Sequence, residues 1–173
     1  MKLKKPKLLE NHQQQFLDER GFLNPMPVAE LLQRHDLEDF EYSYQLISMT
    51  EHPNTFRGFH FQRPPHEQIK ILIMHSGEVL DIVFPFDDAK KENIETFNLK
   101  AGDILLIPNN YAHGFYTCSD NVLIQYIMNK DFSPESYTGF NGLDFISKKM
   151  NRQDILISEN DLKLPMLGES FSS

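Results

Sequence analysis

From Phe40 onward the chain is a succession of short runs rich in Ile, Val, Phe and Tyr, each closed by Gly, Pro, Asn or Asp. Eight runs follow this pattern: residues 42–49, 56–61, 68–75, 78–84, 93–99, 103–107, 113–117 and 122–128. Runs of this length, with turn residues between them, predict β-strands of an all-β sandwich or barrel. The turns have a physical basis. Ser76-Gly77 and Lys100-Ala101-Gly102-Asp103 place glycine where a tight connection needs positive φ. Pro108 closes the 103–107 run because proline cannot donate to a ladder. An eight-stranded jelly roll is the expected architecture, and the space between its sheets is where chemistry would sit.

Outside this region the signals are weaker. Residues 1–15 are polar and basic, read as a mobile arm or a first edge strand. Val28, Leu31 and Leu32 recur at helical intervals, so a short helix is expected within Pro27–His35. After Asp131 the pattern fades into Ser, Gly, Asn and Lys, with one apolar run at residues 155–157. A single jelly-roll domain is expected over residues 1–168, followed by a disordered tail at 169–173.

Seventeen basic residues against 25 acidic give a formal charge of −8, which argues against nucleic acid or an acidic membrane as partner while permitting a local basic patch. The one cysteine, Cys118, excludes an intramolecular disulfide, suits a reducing compartment and is expected to be a buried, inert thiol. No apolar run approaches the ~20 residues that span a bilayer, and the basic N-terminus lacks the apolar core of a signal peptide. A soluble, cytoplasmic protein is expected.

Four histidines fall in the β region: His60, His66, His75 and His113. A metal-binding roll commonly carries a His-x-His pair, but this chain has His60-Phe61-Gln62, so no metal site is expected. Strict alternation puts Gly58, His60 and Gln62 on one face of their strand and Arg57, Phe59 and Phe61 on the other. Lys70, flanked by isoleucines, points either to water or into a polar cavity. Taken singly, His60 reads as a structural histidine and Tyr126 as a core aromatic with its hydroxyl satisfied.

Taken together, these residues carry a resemblance. Arg57–Gln62, then Gln68 and Lys70, then Gly77-Glu78-Val79-Leu80-Asp81, Ile107-Pro108 and Ala112-His113-Gly114-Phe115 closely resemble the dTDP-4-dehydrorhamnose 3,5-epimerase family in order and spacing. Tyr126 falls where that family has its active-site tyrosine. Asp18-Glu19-Arg20-Gly21-Phe22 and Ile157-Ser158-Glu159-Asn160-Asp161, with Pro165 beyond, look like its early and late elements. The likeness runs from about residue 16 to 166.

The resemblance implies a cupin-type double-stranded β-helix with short flanking helices. It also implies a homodimer without cofactor, and inversion of C3 and C5 of a nucleotide-diphospho-4-keto-6-deoxy sugar. A C–H beside the C4 ketone is acidified because its carbanion delocalises onto oxygen, so the enzyme needs a base, a positive group at the oxygen and an acid on the opposite face. By resemblance, His60 is the base, oriented by Asp161, Lys70 meets the enolate oxygen and Tyr126 returns the proton. Arg20, Arg57 and His113 would hold the diphosphate, while Phe22, Gln45, Gln62 and Gln68 complete the substrate-binding set. An N-terminal aromatic, Phe16 or Phe22, would reach the neighbouring subunit's site.

The departures concern the base. Pro25 stands where the family has a glutamate and Ile47 where it has an asparagine, and the chain has no tryptophan for the family's Trp-Pro element. The catalytic set is whole while base recognition is eroded, so the nucleotide need not be dTDP. Which carbon is inverted stays open. The alternatives are a sugar-nucleotide 3,4-ketoisomerase or metal-dependent cupin enzyme, and a non-catalytic sugar-binding roll. Binding alone would require none of His60, Lys70, Tyr126 and Asp161.

Overall fold

The computed structural model describes residues 3–88 and 90–167; the tail expected at 169–173 lies outside the described residues. The chain runs β1 (Lys7–Leu9), β2 (Phe16–Asp18), β3 (Gly21–Leu23), α1 (Val28–Arg34), β4 (Tyr44–Thr50), β5 (Phe56–Gln62), β6 (Lys70–Ser76) and β7 (Glu78–Pro85). It continues through β8 (Glu95–Lys100), β9 (Ile104–Ile107), β10 (Tyr111–Thr117), β11 (Val122–Met128), β12 (Tyr137–Gly139), α2 (Leu143–Met150) and α3 (Glu159–Leu162). All eight expected strands form. The N-terminal arm takes its edge-strand alternative, with β1 pairing antiparallel to β9.

Two five-stranded antiparallel sheets, ordered β1-β9-β6-β11-β4 and β12-β5-β10-β7-β8, make the cupin-type jelly roll. β2 and β3 form a separate hairpin. Between the sheets lie Leu72, Met74, Val79, Leu105, Ile107, Phe115 and Ile124. The outer face of the first sheet, with Ile71, Ile73, Leu106 and Ile127, packs against Leu31 of α1, Leu37 and Phe40. The second sheet's outer face, with Phe59, Ile82 and Phe84, packs against Phe140 and Ile146 of α2. Both faces of β6 and β9 are therefore covered, which is why those strands read as unbroken apolar runs rather than alternating ones.

One irregularity matters for the site. β5 pairs with β10 as His113↔His60 and then Phe115↔Arg57, so three steps on β5 oppose two on β10. This bulge turns Arg57 onto the same inner face as His60, correcting the strict alternation expected for that strand. Glycine is required here: Gly58 has φ +137°, and a Cβ on it would lie 2.5 Å from Cα of Gly114.

Cys118 corrects a second expectation. It follows β10 rather than lying within it and is exposed, although partial burial still raises its thiol pKa.

Candidate active site

A cavity of about 790 Å³ lies between the sheets, within the range of small-molecule sites. Its two walls carry different chemistry. β5 and β10 supply His60 and His113, which face each other directly in the ladder. Across the cavity, β6 supplies Lys70 and β11 supplies Tyr126, with Lys70 registered against Met128 and Tyr126 against Leu72.

His60 Nε2 lies 2.7 Å from Asp161 Oδ1. An ionised carboxylate only accepts, so Nε2 carries the proton and Nδ1 of the neutral ring keeps the lone pair. Asp161 is held from two sides: Gly58 N–H approaches its Oδ2 at 3.5 Å, and its own N–H donates to Ser158 Oγ at 3.1 Å. Ser158 caps α3, and this cap aims a residue 101 positions away in sequence at His60. Burial pushes the Asp161 carboxyl up, but the His60 hydrogen bond and the attraction of that ring when it is protonated, with help from Gly58 and Ser158, outweigh it and leave the pKa lowered.

Lys70 Nζ reaches across the cavity and donates to the His60 carbonyl at 3.3 Å. Of the two orientations open to it in the sequence, the structure gives the cavity. Burial lowers its pKa to about 8, partly opposed by the charge of Asp81. Tyr126 is buried, its ring 5.8 Å from that of His113 and nearly perpendicular to it. Burial and the Asp81 charge raise its phenol well above the ordinary value, with Arg57 opposing, so Tyr126 holds its proton at neutral pH.

Arg57 also lines the cavity, with Nε donating to Thr50 Oγ1 at 3.0 Å. Gln62 and Gln68 stand in the wall, but their amides are already engaged. Gln62 donates to the carbonyls of His66 and Asp131 and accepts from Ser133 N–H, while Gln68 donates to the carbonyls of Lys130 and Asp131. In this chain both tie down the 130–133 segment, Gln62 through its amide nitrogen and oxygen and Gln68 through its amide nitrogen.

Three expected residues lie outside the cavity of the single chain. Arg20 and Phe22 are on the exposed β2–β3 hairpin, where Arg20 pairs with Asp18 at 2.5 Å. Gln45 faces away because Tyr44, Leu46 and Ser48 take the inner face of β4, leaving the alternate positions outside.

Two residues that sequence reasoning passed over belong to the site. Tyr137 of β12 sits with its ring 5.4 Å from that of His60, and burial, then the Asp161 charge, push its phenol to about 12. Asp81, fully buried on β7, accepts from His113 Nε2 at 2.7 Å. Its signal was present: a carboxylate at an inward position of an otherwise apolar strand.

Among the described residues, no group of three or more His, Cys, Asp or Glu side chains is placed to hold a metal, and no helix is long and apolar enough to cross a membrane. A hydrogen-bonded histidine–carboxylate pair on one wall, facing a lysine and a protonated phenol on the other, is an arrangement able to move protons beside a carbonyl group, the chemistry of one class of isomerase.

The family model of dTDP-4-dehydrorhamnose 3,5-epimerase matches residues 2–169. The chain is 26% identical over 170 residues to the dTDP-4-dehydrorhamnose 3,5-epimerase of Methanothermobacter thermautotrophicus, covering 90% of this chain and 86% of that one. Its fold is similar to that of the Bacillus anthracis dTDP-4-dehydrorhamnose 3,5-epimerase crystallised with TDP and PPi (24% identity, TM-score 0.78, 94% of each chain). It is also similar to that of a 3′-monoepimerase from Streptomyces bikiniensis in complex with dTDP-quinovose (19% identity, TM-score 0.77, 96% of this chain and 86% of that one). The chain belongs to the dTDP-4-dehydrorhamnose 3,5-epimerase family, whose members are carbohydrate epimerases of the isomerase class.

Proposed function

We propose that this chain is a cofactor-independent epimerase that inverts C3, C5 or both of a nucleotide-diphospho-4-keto-6-deoxy sugar. The observation that carries this reading is the opposition of His60–Asp161 on one wall to Lys70 and Tyr126 on the other. His60 Nδ1 takes the proton from the carbon beside the C4 ketone. The resulting charge moves to the C4 oxygen, where the Lys70 ammonium neutralises it. Tyr126 then gives a proton to the opposite face, so that the centre inverts instead of being restored. The Tyr126 phenolate is reprotonated from solvent, and His60 releases its proton the same way. Asp161 stabilises the transient imidazolium of His60, as a carboxylate partner does for other catalytic histidines.

Arg57 and His113 hold the diphosphate. An acidic protein binds such a dianion because cations converge locally, whatever its net charge. The setting we infer is cytoplasmic, from the single-cysteine composition.

We infer a homodimer as the working unit. The hairpin exposes Phe16, Leu17, Phe22 and Leu23, and the outer side of β4 exposes Ile47 and Met49, more apolar surface than one chain alone would leave in water. A second copy on this face would also give Arg20, Phe22 and Gln45 a site to serve. The nucleotide base is the element least fixed by the residues present, given Pro25 and Ile47.

Both readings are checked by thermal melts with dTDP, UDP, GDP and CDP, and sedimentation of the same samples. At a hundredfold excess over Kd, a diphosphate that binds stabilises by about 2.7 kcal/mol. For a domain of this size that raises Tm by roughly 5–10 °C, and sedimentation should give the mass of two chains. A flat panel would remove the nucleotide sugar as substrate, and a one-chain mass would remove the dimer.

A further inference from the structure

The mechanism above leaves one buried charge unused. Asp81 has no exposure, and only one of its oxygens is occupied: Oδ2 accepts from His113, whereas Oδ1 is buried without a hydrogen-bond partner among the described residues. A buried carboxylate in that state is costly unless a cation offsets it. The inward side of β7 looks across the roll to β6, whose polar inward group is Lys70, itself stripped of water.

The other titratable or charged groups that line the cavity with Lys70 come from six elements: Tyr44 of β4, Arg57 and His60 of β5, His113 of β10, Tyr126 of β11, Tyr137 of β12 and Asp161 of α3. Of these only Asp161 is an acid, and its oxygens face His60 Nε2 and Gly58 N–H. The Tyr126 and Tyr137 phenols hold their protons, and none of the other groups is a carboxylate. Asp81 is the carboxylate left to balance the ammonium.

We propose that Asp81 is a positioning residue of this site, supplying the countercharge for Lys70 and fixing the ring of His113. This deepens the proposed function and rests on it. Asp81 touches no reacting atom; it keeps the group that meets the enolate oxygen charged, and it ties down the Nε2 edge of the histidine assigned to the diphosphate. Lys70 titrates near 8 as a result of burial, and the Asp81 charge acts against that fall. As pH rises through this value the ammonium is lost and turnover falls with it. Without Asp81 the fall comes earlier.

The test is Asp81→Asn, which keeps the size and removes the charge, read by the pH profile of kcat and by melting. The alkaline limb of kcat should move to lower pH by about one unit, the lower end of what an opposite charge does to a buried group. Asp81→Asn should lower Tm in the wild-type background. In a Lys70→Met background it should leave Tm unchanged or raise it, because there it removes a carboxylate that has lost its partner. An unmoved alkaline limb, or an equal fall in Tm in both backgrounds, would overturn the proposal and leave Asp81 a structural partner of His113. Should Asp81→Asn alone not fold, folding of the Asp81→Asn/Lys70→Met double variant supports the pairing, and failure of the double variant overturns it. The melting comparison needs no substrate, so it stands even if the protein proves not to be an epimerase.

Discussion

Replacing His60 with Asn is expected to reduce kcat about 10³-fold while leaving nucleotide diphosphate affinity within a factor of two. The size follows from what a positioned base contributes, typically ~10² to 10⁴ in rate. The selectivity follows from the geometry. Asn can still hydrogen-bond Asp161, so α3 stays docked, but it has no basic nitrogen to replace Nδ1. The diphosphate contacts assigned to Arg57 and His113 do not pass through residue 60. Parallel loss of kcat and affinity would mean that His60 holds the substrate instead of taking its proton. Retained turnover would remove it from the chemistry altogether.

Tyr126→Phe should separate two quantities that are normally linked. In the proposed reaction the proton leaves on the His60 wall without help from the phenol, so exchange of the substrate's acidic hydrogen with solvent should survive within about tenfold. Net inversion requires a proton from the β11 wall and should fall by at least 10². The phenol is held firmly protonated by burial and the nearby Asp81 charge, which suits a donor and excludes Tyr126 as the base at neutral pH. NMR of the sugar product, scoring exchange and configuration in the same sample, measures both. If exchange and inversion decline together, the two faces have been assigned wrongly.

Much of the fold was legible because turn chemistry and strand length do not depend on distant residues. Ser76-Gly77, Gly102 and Pro108 mark chain reversals wherever they occur, and the apolar runs between them match β6, β7 and β9 within two residues. The C-terminal elements were less legible. Leu143, Ile146 and Met150 do fall on one side of α2, but the helix is only eight residues long, and its N-cap position is Gly142, with the first N–H met from one residue further back by Asn141 Oδ1. α3 is four residues held by the Ser158 cap and by contact with β5, and no periodicity announces an element of that size.

The site was legible as a set and not one residue at a time. His60 and Asp161 are 101 positions apart, and only the closed roll brings them to 2.7 Å. Arg57 was placed on the wrong face because alternation assumes an unbroken ladder, and the extra residue in β5 is set by its partner strand. Gln62 and Gln68 also hydrogen-bond the 130–133 loop, a use visible only once that loop is in place. Gln45 shows the converse, since alternation on β4 turns it out of its own chain's cavity.

In the proposed reaction a carbon-bound hydrogen beside the ketone leaves as a proton to His60 and is replaced by a proton from the opposite wall. Mass spectrometry of the product formed by wild-type enzyme in D₂O, after dialysis against a chelator and with no nicotinamide added, tests it directly. One deuterium should appear at each inverted carbon. Inverted product that carries no solvent deuterium would contradict the account.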